Sequence, residues 1–396
     1  MTPAPLHQDQ VDSLRGWAAF SVLVMHTFRQ KLLPEFPLGH YASYLQADRA
    51  AVLLFFVISG YVIGLSTNRP WTPPEARRYG WRRVVRLGPV YLLAILLAWL
   101  AVPAENGRTL LGHLAFLQDS NPDNPLRVDN LAGNSPLWSL HYEALFYTLF
   151  LVWWRWPASV GPSLVLAAAG GVWATCSPTG PGFVVSHSVG AIYWLAGLLL
   201  SRCPRVAGPN TGGKIWANIL WLHAAYHFAP IPLLRGRLHL VADTKTYLPL
   251  DDLIYLPLAV TLVALAGGRR LPGARAWQLA AGGTALAGFV MILAARKNLL
   301  DTRWLVSITY LAAGFLCYFR PVTAGLAVAA RVGGFSYALY ALHFPVLLML
   351  GRFFPAEVSL PVGLGAIALG WLVVFPLAWV VEIRFQPRLR AGLTAP

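Results

Sequence analysis

The stretch AAVLLFFVISGYVIGLSTN, Ala50 to Asn68, decides the fold. As an α-helix at about 1.5 Å per residue it is about 28 Å long, close to the ~30 Å of bilayer hydrocarbon. No Asp, Glu, Lys or Arg interrupts it, so it has no charged face to turn towards water. Leu87 to Ala104, Ala276 to Ala295, Val332 to Gly351 and Val358 to Val381 are uncharged in the same way. Trp156 to Ser201 is a longer uncharged run, broken at Ser177-Pro178-Thr179-Gly180-Pro181-Gly182, a tight turn between two spans. Across 396 residues 57% are apolar and 12% charged, about half the charged share of a soluble domain. One soluble core could not hide all these runs. The expected fold is an all-α, polytopic transmembrane helix bundle of about 10–12 helices.

Expected spans lie near 15–33, 50–67, 87–104, 137–154, 158–176, 186–201, 215–231, 250–267, 276–295, 304–319, 335–353 and 359–381. His223, Tyr226 and His227 make the seventh unusually polar, so a re-entrant or surface element is the alternative there. The net charge of +15 gathers in particular links. Arg69, Arg77, Arg78, Arg82, Arg83 and Arg86 crowd the second; Arg202, Arg205 and Lys214, then Arg269, Arg270 and Arg275, form two more. Arg384, Arg388 and Arg390 mark the tail, whereas Glu105 to Asp129 holds several acids. Basic links stay cytoplasmic, which places both termini in the cytoplasm and leaves Arg296, Lys297 and Arg303 as an exception outside. Residues 1–396 are expected to form one membrane domain, with a polar lead at 1–14, a tail at 384–396 and no fused soluble domain. Met1 to Leu14 lacks the basic start of a secretory signal. Cys176, Cys203 and Cys317 fit no metal or redox spacing, and no metal is expected. Nothing points to nucleic acid; the expected surroundings are the lipid bilayer.

Ionisable residues inside spans are expensive unless paired or solvated, so they carry the functional information. Asp12, Arg15 and His26 sit on the opening helix. Arg15 and His26, eleven residues apart, share a face about 16 Å apart. A neutral imidazole near mid-bilayer could act as a general base; a packed histidine is the plain alternative. Arg82, Arg83 and Arg86, followed by Tyr91, could hold a polyphosphate bidentately, or simply set topology. Ser139 and Glu143 are i, i+4, with Tyr147 one turn on. That carboxylate could bind sugar hydroxyls, orient a histidine or pair with an arginine. Ser336, Tyr340 and His343 form one polar stripe that could line a cavity. Some of the 16 Trp and 15 Tyr serve as interface belts.

At these residues the sequence resembles the acyltransferase-3 family, bacterial membrane enzymes that O-acylate carbohydrates and related acceptors. Five stretches carry the resemblance in order: Val11 to Ala19 running to His26, Phe55 to Tyr61, Arg82 to Tyr91, Trp138 to Glu143 with Tyr147, and Ser336 to Pro345. Two departures stand out. Leu53 occupies a position where many members carry an acid, and Glu382-Ile383-Arg384 lacks the proline of the closing motif.

The resemblance implies an O-acetyltransferase of the bacterial inner membrane that uses acetyl-CoA, or another acyl-CoA, as co-substrate. It implies an acceptor hydroxyl on a saccharide or glycoconjugate. Arg82, Arg83, Arg86 and Tyr91 would hold CoA, and His26 would act as base or nucleophile with Arg15 and Asp12 orienting its helix. Glu143 would position the acceptor or the histidine, and Ser139, Tyr147, Ser336, Tyr340 and His343 would bind the acceptor. Some relatives carry a fused periplasmic domain, so a separate periplasmic acyl-transfer partner is conceivable here. Ser59 reads as a small-residue helix contact rather than a nucleophile. A proton-coupled transporter or saccharide flippase is the rival reading, and a scaffold in an envelope-polymer complex a third. Against transport, the halves show no repeat and the arginine motif has no counterpart in the second half.

Overall fold

A computed structural model describes residues 5–67, 69–103, 106–206, 212–237 and 246–389. Glu105 and Arg390 lie outside the described residues, as do the ends of the expected lead and tail. The helices run α1 (Pro5–Phe28), α2 (Asp48–Ser66), α3 (Pro73–Ala101), α4 (Gly107–Leu114), α5 (Trp138–Arg155), α6 (Val160–Cys176), α7 (Gly182–Ser201) and α8 (Gly212–Phe228). They continue as α9 (Pro230–Arg237), α10 (Leu256–Ala266), α11 (Ala274–Ala294), α12 (Thr302–Tyr318), α13 (Leu326–Gly333), α14 (Ser336–Gly351) and α15 (Leu360–Trp379). No β-strand occurs among the described residues.

Local sequence sets the boundaries. Thr72 caps α3 ahead of Pro73-Pro74, its Oγ1 accepting from the Glu75 N–H at 3.4 Å. Asn106 caps α4 through Thr109 N–H at 2.7 Å, and Asp301 caps α12 through Arg303 N–H at 2.9 Å. A π-helical stretch, Val380–Phe385, extends α15.

Each of the twelve expected spans contains a helix, although the first ends at Phe28 rather than at residue 33 and the seventh is broken at Ala229. Six helical stretches are long and apolar enough to cross a membrane: Gly39–Ser66, Pro73–Ala101, Pro157–Cys176, Gly182–Ser201, Ala274–Ala294 and Leu360–Leu389. A seventh appears if α13 and α14 count as one broken span. The others differ for two physical reasons. Helices α8 and α12 are 17 residues long, α14 is 16 and α10 is 11, about 16–26 Å at ~1.5 Å per residue and so short of the hydrocarbon thickness. Helices α1 and α5 carry their ionisable residues within the helix.

The helices gather into two compact units. The first contains the opening part of α1, α2, the end of α6, and α7–α13. Within it α2 and α7 touch backbone to backbone: a Cβ on Gly60 would sit 2.0 Å from the Trp194 carbonyl oxygen, and one on Gly197 2.0 Å from that of Val57. Small residues permit this approach between helices in lipid. Ser59 Oγ, beside the contact, accepts from Trp194 Nε1 at 3.2 Å.

The polar seventh segment is a buried helix: α8 packs against α10, α11 and α12. Tyr226 and His227 bond to groups from other elements, whereas His223 Nδ1 is buried without a hydrogen-bond partner. Tyr226 OH donates to Asp48 Oδ1 at 2.5 Å, His227 Nε2 donates to the Tyr44 carbonyl at 2.9 Å, and Arg303 Nε donates to the His227 carbonyl at 2.8 Å. Arg49 faces Asp252 at 3.5 Å. The end of α8 thus meets the starts of α2 and α12, as alternating helix directions require.

The second unit contains the rest of α1, α3–α5, the start of α6, α14 and α15. Here α14 packs against both α3 and α15. Trp371 of α15 holds the end of α1, edge-on to Phe20 at 5.5 Å and donating from Nε1 to Thr27 Oγ1 at 3.3 Å.

Candidate active site

The second unit brings together residues from the first, third, fourth and fifth sequence motifs. His26, on the last turn of α1, is 4% exposed, and His343, on α14, is 1% exposed. Their rings stand 4.9 Å apart, with His343 Nε2 2.9 Å from His26 Nδ1. Each ring is also anchored to its own helix: His26 Nδ1 lies 2.9 Å from the Val22 carbonyl oxygen, and His343 Nδ1 2.9 Å from that of Leu339. Phe344 closes the pair edge-on to His26 at 5.3 Å. His343, expected among acceptor-binding residues, therefore meets the expected base directly.

Tyr340 and Ser139 are also engaged within the protein. Tyr340 OH donates to the Pro136 carbonyl at 2.7 Å and lies 2.7 Å from Ser139 Oγ, which completes the hydroxyl pair. The stripe expected to line a cavity is thus occupied by internal bonds near His343. Ser336, at the start of α14, is buried.

The arginines divide by role. Arg82 is exposed, with Nε donating to the Arg78 carbonyl at 3.3 Å. Arg83 lies between two rings, 5.4 Å from the centre of Tyr79 and 5.6 Å from that of Tyr147. Its Nε is buried without a hydrogen-bond partner. Tyr147 OH in turn donates to Glu143. Arg86, expected to bind phosphate, is instead paired with Glu382 at 3.2 Å. Glu382 is buried, and its other oxygen accepts from the Ala338 N–H at 2.7 Å, capping the first turn of α14 from outside that helix. Tyr337, next along α14, stacks under Arg86 at 5.8 Å and donates to the Leu87 carbonyl at 3.0 Å.

Tyr91 requires a similar correction. It is 2% exposed, stacks on Phe116 at 4.3 Å and donates to the His113 carbonyl at 2.9 Å. Burial turns its hydroxyl inward, so it secures α4 and the following loop rather than facing a ligand. In the first unit, Arg15 is joined to Asp12 at 2.9 Å, one turn back on the same helix that carries His26.

Two residues of this region escaped the sequence reading. Glu382 was noted there only for a missing proline; its signal was a lone carboxylate at the end of an uncharged run. Asn134 is fully buried and donates from Nδ2 to the Ala341 carbonyl at 2.8 Å, fixing the loop before α5 against α14. Nothing in Asn134-Ser135-Pro136 announces that reach.

Six or seven membrane-length helices, together with a buried histidine pair and an arginine–carboxylate pair that both contact α14, describe a polytopic membrane enzyme. The chain belongs to the acyltransferase-3 family, whose model, described as an acyltransferase domain, matches residues 8–382. Its activity is acyl transfer. It is similar to the acyltransferase MdmB of Streptomyces mycarofaciens, 26% identical over 427 residues that cover 100% of this chain and 97% of the relative. No solved structure matches.

Proposed function

We propose that this enzyme transfers an acyl group, most simply acetyl, from a cytoplasmic acyl-CoA to a hydroxyl of a saccharide or glycoconjugate, with His26 as general base. It would work as a multi-pass protein of the bacterial inner membrane. The observation that carries the reading is that α14 brings together His343 of the buried His26–His343 pair and, at its first turn, the contacts of Tyr337 with Arg86 and of Ala338 with Glu382. From Tyr337 at the arginines to His343 is six residues of α14, about 9 Å along its axis. CoA phosphates bound by Arg82 and Arg83 would direct the pantetheine arm along that helix. Arg86 contributes indirectly, by holding Glu382 and so the start of α14. Asp12 and Arg15 steady the opening turns of the helix that presents His26, and Glu143 holds the Tyr147 ring against Arg83. The acceptor would approach from the histidine side of the unit, near Ser139, Tyr340 and Ser336. A separate periplasmic partner could then relay the acyl group onward.

The test is thiol release from acetyl-CoA by detergent-purified protein. Wild type releases CoA, His26→Ala abolishes release while still binding acetyl-CoA, and Arg83→Ala raises the acetyl-CoA concentration needed for half-maximal rate. Folded wild-type protein that neither binds nor cleaves acetyl-CoA refutes the donor assignment.

A further inference from the structure

The three contacts of the histidine pair determine where its protons reside. Carbonyl oxygens only accept hydrogen bonds. At 2.9 Å from the Val22 oxygen, His26 Nδ1 must carry a hydrogen; at 2.9 Å from the Leu339 oxygen, so must His343 Nδ1. A neutral imidazole has one N–H, so His343 Nε2 carries a lone pair. That lone pair points at His26 Nδ1, 2.9 Å away. The His26 N–H is therefore shared between the Val22 carbonyl and His343 Nε2. The opposite assignment, with a hydrogen on His343 Nε2, sets two bare ring nitrogens against two carbonyl oxygens at 2.9 Å in a buried site. Both contacts would be repulsive, and one gained bond does not offset two.

We propose that His343 is the positioning residue for His26: its Nε2 holds the Nδ1–H tautomer, so that His26 Nε2 is the nitrogen presented to the acceptor hydroxyl. This rests on the reading of His26 as the base. During transfer the acceptor O–H bond breaks and its proton goes to His26 Nε2. The acceptor oxygen bonds to the thioester carbonyl carbon, the C–S bond breaks, and the CoA thiolate recovers the proton from His26. Acceptor hydroxyl and acyl-CoA become acyl ester and free CoA thiol, with no net change on the enzyme. While the proton is on His26, the imidazolium is stabilised by its Nδ1–H bond to His343 Nε2, as a triad carboxylate stabilises its histidine. Here the third group is neutral, and both rings are buried, where a second charge would be costly. This reassigns His343 from acceptor binding to control of the base.

The experiment compares His343→Leu, His343→Gln and His26→Ala in acetyl-CoA thiol release, with long-range 1H–15N spectra of the wild-type histidines. His343→Leu should lower kcat at least tenfold with KM for acetyl-CoA unchanged, and His343→Gln, whose amide oxygen can accept from His26, should recover a large part of that loss. The wild-type spectra should show His26 protonated at Nδ1, assigned by the signal that His26→Ala removes. Unchanged kcat in folded His343→Leu, no recovery by folded His343→Gln, or a His26 hydrogen on Nε2 each overturns the proposal. Should His343→Leu fail to fold, the wild-type tautomer still decides. If His26→Ala keeps full release, it is the reading of His26 that fails, an outcome distinct from failure of His343 alone.

Discussion

Replacing Arg86 with alanine should destabilise the protein more than replacing its partner, even though Arg86 is the more exposed of the two. Glu382 has 3% of its side chain exposed, against 36% for Arg86. Removing Arg86 leaves a buried carboxylate with the Ala338 N–H in place of a full ion pair. Stranding one partner of a buried pair costs about 3–5 kcal/mol, and the partial exposure of Arg86 favours the lower figure, about 3. Removing Glu382 instead releases Arg86 towards water and uncaps one N–H of α14, a loss of about 1 kcal/mol. In Arg86→Ala/Glu382→Ala no charge is stranded, so the double variant should resemble Glu382→Ala. The coupling is then about 3 kcal/mol, with the second substitution recovering about 2 kcal/mol of the loss caused by the first. Equilibrium unfolding in mixed micelles would measure all four corners of the cycle. The reasoning fails if Arg86→Ala is no worse than Glu382→Ala, or if the double variant equals the sum of the singles.

Three further outcomes follow from other parts of the structure. Gly60→Ala places a methyl group 2.0 Å from the Trp194 carbonyl and should destabilise by about 1–3 kcal/mol, whereas Gly80→Ala, with open space around it, should be neutral or stabilising by up to about 1 kcal/mol; thermal unfolding distinguishes them. Tyr340→Phe strands the Pro136 carbonyl and its bond with Ser139, costing about 1–3 kcal/mol in the same assay without changing KM for acetyl-CoA. His113, in α4 between the spans, has its pKa pushed down by burial to about 4. In the unfolded chain it titrates near ~6.5, so between those values the unfolded state binds more protons and stability falls as pH drops from about 6.5 towards 4. His113→Gln should flatten that part of the stability–pH curve.

Much of this was legible in sequence because hydrocarbon is an unforgiving solvent. Uncharged runs marked helices such as α2, α7 and α15, and their order followed from the links alone. Residues brought close by a shared helix were equally legible: the Glu143–Tyr147 bond is an i, i+4 relation, and Asp12 with Arg15 an i, i+3 one. Pairings across the chain were not. His26 read as part of a cluster with Asp12 and Arg15, and His343 as part of a stripe with Ser336 and Tyr340, because no local spacing reports that α14 packs beside the end of α1. Arg86 looked like a phosphate ligand until its partner was found on the last helix. The polarity of α8 misled for a related reason: Tyr226 and His227 suggest exposure only until Asp48 and the Tyr44 carbonyl, from far upstream, are seen to bond them.

The bond between Arg86 and Glu382 also has a consequence for the chain while it is being made. The two residues are 296 positions apart (382 minus 86). At a synthesis rate of about 5–20 residues per second, Arg86 waits about 15–60 s for its partner to leave the ribosome. Until then the first turn of α14 has no external cap and the arginine cluster is uncompensated. A nascent or prematurely terminated chain therefore reaches the membrane with His26 and Arg83 already present but with the helix joining them unsecured. The contacts that tie α3 to the start of α14 through Glu382 are complete only once that residue has been made.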